Sequence, residues 1–134
     1  MAQKAILCVD DEAMILFVLK QQLKEYFGPE FIYETAESAE EANEILEDLK
    51  KQGIEVLLII SDWLMPGIKG DEFLTSVHKK YPNIGKIMIT GQVDKEALDK
   101  TVQEAGLRAC VLKPWNMDEL LSIVEKSVTE KKNE

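Results

Sequence analysis

The stretch Val56-Leu57-Leu58-Ile59-Ile60 runs into Ser61-Asp62 and is the most apolar run in the chain. Consecutive branched aliphatic residues ending at a carboxylate read as a strand buried on both faces, the kind found inside a parallel sheet. Three other short runs share the pattern. Ala5–Val9 precedes Asp10 and Asp11, Lys86–Ile89 precedes Thr90, and Ala109–Leu112 precedes Lys113. In an open α/β sheet, ligands bind beyond the carboxyl ends of the strands. Four separated segments therefore aim three carboxylates, a hydroxyl and an ammonium at one edge. That set suits a divalent cation, a phosphoryl group and a carboxylate nucleophile.

Helical periodicity fills the gaps between the runs. A first helix is predicted over Glu12–Tyr26, with Ile15, Leu16, Leu19, Leu23 and Tyr26 on its inner face and Gly28-Pro29 as its stop. Phe31–Glu34 reads as a short edge strand. Ser38 with Glu41 three residues on is a capping-box pattern, and Ala42, Ile45, Leu46 and Leu49 form the stripe behind it. A loop with Pro66-Gly67 and Gly70 leads into a third helix with Phe73, Leu74 and Val77 inward. Asp94 is a candidate N-cap for a fourth helix, whose inner face reads Ala97, Leu98, Val102 and Ala105, with Gly106 closing it. Asn116 and Glu119 open a fifth helix bearing Leu120, Leu121, Val124 and Val128. Five βα units with short loops imply right-handed crossovers and helices on both faces, a three-layer αβα sandwich around a five-stranded parallel sheet.

The chain has 134 residues, 46% hydrophobic and 31% charged, which fits one domain with one core. We read residues 1–128 as that domain and 129–134 as a polar tail. The formal net charge of −9 argues against direct binding of nucleic acid or an anionic membrane. Carboxylates come at once after the first strand, so no signal peptide is expected, and no apolar stretch approaches the ~20 residues of a membrane span. Cys8 and Cys110 lie inside apolar runs without zinc spacing and read as small buried hydrophobes. A reducing, cytoplasmic setting follows as the expectation. His78 and the pair Lys79-Lys80 read as solvated, Trp63 as packing in a loop, and Trp115 as packing between the fifth strand and helix.

If the first and third strands are neighbours, Asp10, Asp11 and Asp62 converge. Two like charges ~5 Å apart repel by about 3 kcal/mol at an effective dielectric near 20. A bound cation would relieve this, and all-oxygen ligands with open positions suit Mg²⁺. Lys113, before Pro114, can meet a phosphoryl oxygen as a point charge, Thr90 can donate to another, and Gly91 leaves room.

These residues resemble the receiver domain of two-component response regulators, of the chemotaxis-type single-domain kind. The strings ILCVDDE, IISDWLMPGIKGDEFL, IMITGQ and CVLKPW carry the resemblance, in that order, over roughly Lys4–Lys126. It implies a flavodoxin-like (βα)5 fold with strand order 2-1-3-4-5. It implies that Asp62 is the phosphoacceptor and that Thr90 and Lys113 bind the phosphoryl group. Asp11, Asp62 and the backbone carbonyl of Leu64 would hold Mg²⁺ directly, and Asp10 through water. It implies a cis peptide at Lys113–Pro114. The partners implied are a sensor histidine kinase or histidine phosphotransfer protein and a downstream effector, with possible dimerisation through helix 4, strand 5 and helix 5. The resemblance implies a signalling domain rather than a classical enzyme.

The sequence departs from the family at Cys110, where Tyr or Phe is usual and turns inward on activation. The phosphoryl chemistry is expected to survive, but a thiol cannot report Thr90 movement by an aromatic swing, so the output surface is expected to change less, or by backbone shifts alone. Leu64 cannot orient water at an acyl phosphate, and Gln92 flanks the same route, so self-dephosphorylation is expected to be slower than in a Leu64→Asn variant. An aspartate-nucleophile phosphatase would need a second Asp where Leu64 stands. A flavin- or nucleotide-binding protein would need a Gly-rich loop where Asp10-Asp11-Glu12 stand. A receiver that has lost phosphorylation and scaffolds partners remains the alternative function.

Overall fold

The computed structural model describes residues 3–63, 65, 67–91 and 95–132, with the backbone alone for 95, 97 and 130–132. The strands are β1 (Lys4–Val9), β2 (Ile32–Ala36), β3 (Glu55–Asp62), β4 (Gly85–Thr90) and β5 (Ala109–Leu112). The helices are α1 (Ala13–Phe27), α2 (Ala39–Lys51), α3 (Gly70–Lys80), α4 (Lys95–Ala105) and α5 (Met117–Lys132), and a single 3-10 turn, Gly28–Glu30, follows α1. The strands form one parallel sheet in the order β2-β1-β3-β4-β5. β3 is therefore central, as its unbroken apolar run required, and the β1/β3 pair is the point where strand order reverses.

Alternation along each strand sorts the core into two halves. Ile6, Cys8, Ile60, Ile87, Ile89 and Val111 face Leu16, Leu19 and Leu23 of α1 and Leu120, Val124 and Val128 of α5. Leu7, Val9, Ile59 and Met88 face Ala42 and Leu46 of α2, Phe73, Leu74 and Val77 of α3, and Ala105 of α4. One irregularity breaks the pattern: the β1/β3 register shifts between Ala5 and Ile6, so Leu57 joins Leu58 on the α1/α5 side.

Local signals explain most of the boundaries. Gly28 takes φ 67°, in the left-handed region, and its N–H bonds the Lys24 carbonyl to end α1. Ser38 Oγ accepts from Glu41 N–H at 3.1 Å, and Asn116 Oδ1 accepts from Glu119 N–H at 3.0 Å. The Glu41 carboxylate reaches the N–H of Glu37 (3.3 Å), one residue before the cap, where a capping box would put it on Ser38. Lys113–Pro114 is cis.

Several expectations need correction. Tyr26 is 49% exposed, and its hydroxyl donates to Glu125 Oε2 at 2.6 Å across to α5 rather than entering the core. Val102 is 41% exposed, and Thr101 takes the buried position on α4. One residue is about 100° of helix, which rotates Val102 out once Leu98 and Ala105 face inward. β2 starts and ends later than Phe31–Glu34, although Phe31 itself is buried. His78 is half-buried, with Nδ1 3.0 Å from Lys86 Nζ, instead of solvated. Cys110 is half-buried and Leu112 exposed, because β5 is an edge strand. Trp115 packs partly against the α1/α5 half of the core, in a groove with Ile15, Val18 and Gln22 of α1. α5 runs on to Lys132, past the expected start of the tail. Asp94 lies outside the described residues.

Candidate functional site

Parallel pairing puts the carboxyl ends of all the strands at one edge of the sheet. β1 ends at Val9 and delivers Asp10 and Asp11, and β3 ends on Asp62 itself. Each of these three residues offers a carboxylate oxygen, all lying within 4.8 Å of one another. Asp10 and Asp62 are buried and Asp11 is exposed, so the cluster opens to solvent on one side.

Lys113, just past β5, reaches across the sheet edge. Its Nζ lies 3.1 Å from Asp10 Oδ2 and 3.3 Å from Asp62 Oδ1. Lys113 N–H donates to Thr90 O at 2.8 Å, fixing the end of β5 to the end of β4. Thr90 is buried at that end, one residue beyond Ile89, the register partner of Asp62. The sequence-predicted residues Asp10, Asp11, Asp62 and Lys113 are thus brought together, and Thr90 ends the adjacent strand. Leu64 and Gln92 lie outside the described residues.

The electrostatics follow from this packing. Burial raises the Asp62 carboxyl above its ordinary value and Asp10 adds to the rise, while Lys113 opposes it. Burial works against the Lys113 ammonium, but the hydrogen bond to Asp10 and the charges of Asp62 and Asp10 outweigh it, so its pKa rises. Asp10 has both oxygens engaged, Oδ1 by Glu12 N–H at 2.9 Å and Oδ2 by Lys113.

Sequence reasoning missed the contacts that hold the Asp62 backbone. Ser61 Oγ donates to the Asp62 carbonyl at 3.0 Å. Trp63 N–H donates to Ile89 O at 3.2 Å, and Trp63 O accepts from Gly70 N–H at 2.7 Å. Only the glycine at 70 offered a signal, and alone it was indistinguishable from a turn residue.

The family model described as the response regulator receiver domain matches residues 6–125. The chain belongs to the response regulator receiver domain family. It is 38% identical over 126 residues, 94% of its length, to the hydrogenase transcriptional regulatory protein HoxA of Cupriavidus necator, and covers 24% of that protein. It is 31% identical over 121 residues, 90% of its length, to the DNA-binding transcriptional regulator NtrC of Salmonella typhimurium, again covering 24%. The chain thus spans about a quarter of the length of the curated relatives it matches. Among solved structures it resembles the signal receiver domain of an HD domain-containing protein from Pseudomonas fluorescens Pf-5, at TM-score 0.86 and 28% identity with both chains fully covered. A CheY-like receiver from Methanospirillum hungatei JF-1 matches at TM-score 0.81 and 32% identity, also over the whole of both chains. This is a family of signalling domains in two-component systems. Among the described residues, no helix of this receiver is long and apolar enough to cross a membrane.

Proposed function

We propose that this receiver accepts a phosphoryl group on Asp62 from a phosphohistidine of a sensor kinase or phosphotransfer protein, and that the modification changes a protein-binding surface. One observation carries the reading: three carboxylates from two neighbouring strands meet within 4.8 Å, and a lysine from a third strand bridges two of them. A cluster that costs several kcal/mol of repulsion without a cation is unfavourable as scaffolding and useful as a phosphoryl site.

The donor set fits Mg²⁺: every ligand is oxygen, and the exposed side leaves positions for water and phosphate oxygens. Asp11, Asp62 and the Leu64 backbone carbonyl would hold the ion. Asp10 would act through water, in keeping with the engagement of both its oxygens. The bound ion would supply charge neutralisation between carboxylate and phosphoryl oxygens.

The chain's own residues do the rest. An Asp62 oxygen attacks phosphorus in line, the P–N bond breaks, and the electron pair leaves with the donor imidazole. Lys113 gives up one carboxylate contact to meet a phosphoryl oxygen, and Thr90 donates to another. Beside the acidic cluster, α1 exposes Met14 and Phe17, and a groove lined by Ile15, Val18, Trp115 and Met117 includes Lys113. This apolar rim, continuous with the site, would seat the phosphodonor.

Output would leave through α4, β5 and α5, where Val102 and Leu112 are exposed, either to an effector protein or to a second copy. HoxA and NtrC are named as transcriptional regulators, and we assign this receiver the corresponding input role, in the reducing cytoplasm that its two free thiols suit. The test is to add Mg²⁺ with acetyl phosphate and weigh the protein. One added phosphoryl group, absent in Asp62→Asn, is expected. No labelling of the wild type would leave the scaffold reading in its place.

A further inference from the structure

Gly70 opens α3, and its backbone does not lie in the left-handed region, so conformational freedom is not why glycine is there. Space is. A Cβ at this position would fall onto the Asp62 carbonyl oxygen and sit 2.8 Å from Trp63 Cα and 2.9 Å from Asp62 C. All three are backbone atoms and cannot turn aside as a side-chain tip can. The first turn of α3 therefore lies against the Asp62–Trp63 peptide at a separation that only glycine permits.

Both polar atoms of that peptide are held, and so is the carbonyl that follows it. Ser61 Oγ donates to the Asp62 carbonyl, Trp63 N–H donates to Ile89 O on β4, and Gly70 N–H donates to Trp63 O. The last bond ties the first residue of α3 to Trp63, which directly precedes the residue whose carbonyl we assign to the metal. From this geometry we infer that Gly70 is a positioning residue: its missing side chain sets the distance between α3 and the Asp62 backbone, and so the orientation of the Asp62 carboxylate. The inference rests on the phosphoacceptor reading above. Accommodating a methyl would require a shift on the order of 1 Å, and in-line transfer loses up to about 100-fold for a misplacement of that size.

Gly70→Ala tests this, with Gly106→Ala as control. Gly106 has φ 64°, and a Cβ there would meet His78 Cε1 at 2.9 Å, so that substitution strains the fold far from Asp62. Three quantities are read: the melting temperature, the Mg²⁺ midpoint from Trp63 fluorescence, and the rate of acetyl phosphate labelling at saturating Mg²⁺. Gly70→Ala is expected to label about 10- to 100-fold more slowly at saturating Mg²⁺, and Gly106→Ala to label near the wild-type rate whatever its melting temperature. Wild-type labelling of Gly70→Ala, or an equal loss in Gly106→Ala, overturns the inference. Should Gly70→Ala not fold, hydrogen exchange of the Gly70 amide in the wild type decides. The amide is expected to exchange more slowly on adding Mg²⁺ and beryllofluoride, and an unchanged rate overturns the inference. Labelling of the wild type but not of Asp62→Asn is established first, so failure of the phosphoacceptor reading is seen separately.

Discussion

Lys86 Nζ lies 3.0 Å from His78 Nδ1 and donates to the Ile84 carbonyl at 2.7 Å, so a lysine that is 1% exposed is held between β4 and α3. An ammonium can only donate, so in this contact Nδ1 is the acceptor, and the ring packs where a Cβ on Gly106 would clash. The pair thus joins the start of β4, the last turn of α3 and the end of α4.

Two substitutions separate the charge from the stem. Lys86→Met keeps the apolar length and removes a buried ammonium, but it leaves the half-buried Ile84 carbonyl and His78 Nδ1 without this donor. Relief of desolvation offsets part of that loss, so a net destabilisation of about 1 kcal/mol is expected. Lys86→Ala adds a cavity where the stem packed, and a loss of about 2–4 kcal/mol is expected. Urea unfolding of both variants measures the difference. Equal losses would show that the hydrogen bonds, not the packing, hold this junction.

The two thiols should differ in reactivity. Burial pushes Cys8 up from about 9 to about 12, and raises Cys110 to a lesser degree on the edge strand. In the native protein at pH 8, iodoacetamide should modify Cys110 first and Cys8 only as fast as the fold opens. The sign of the pH effect follows. Between pH 9 and 12 the unfolded chain gives up the Cys8 proton while the folded chain keeps it, so stability is intact below pH 9 and falls by up to about 1.4 kcal/mol per pH unit above it. A Cys8→Ala variant should lack this component of the alkaline decline.

Much of this architecture was legible because every strand but β2 is a largely apolar run and each of those four carries its chemistry at the same end. Asp10, Asp11, Asp62 and Lys113 could be assigned to one edge from position alone, and the edge brings them together. The misreadings share a cause. Tyr26 and Val102 are apolar residues at the border of a helical stripe, where one step of 100° decides between core and solvent, and an apolar letter does not say which. His78 reads from sequence as solvated and Lys86 only as the start of an apolar run, yet the two meet in the fold and neither is solvated. Gly70 looked like a turn residue because steric exclusion by distant backbone leaves no trace in spacing.

Lys113 keeps Asp10 and Asp62 apart electrically, and its removal should be felt before any chemistry occurs. In Lys113→Ala two buried carboxylates face each other within 4.8 Å, and a destabilisation of about 3 kcal/mol is expected without metal. Mg²⁺ should then raise the melting temperature more in the variant than in the wild type, since the cation takes over the neutralising role. Labelling by acetyl phosphate should still fall at least about 10-fold, because the ammonium proposed to meet the transferring group is gone. A variant as stable as the wild type without Mg²⁺ would contradict the assigned repulsion.

On the proposed function, Cys110 is expected to limit how far modification of Asp62 is felt. It pairs in register with Met88 on β4 and borders the core half that contains α3 and α4. A thiol there has no ring to swing into space that Thr90 vacates, so the change must travel through the backbone of β4 and β5, joined at the Lys113 N–H to Thr90 O bond. Adding Mg²⁺ and beryllofluoride should shift amide resonances around Asp10, Asp62 and Thr90 strongly, and those of α4 and the start of β5 weakly. Cys110→Tyr should enlarge the second set while leaving the labelling rate at Asp62 within about twofold, since residue 110 is not one of the residues proposed to hold the phosphoryl group or the metal. A wild-type spectrum in which α4 and β5 already rearrange as widely as in Cys110→Tyr would mean that the thiol does not limit the switch, and that the backbone route is sufficient by itself.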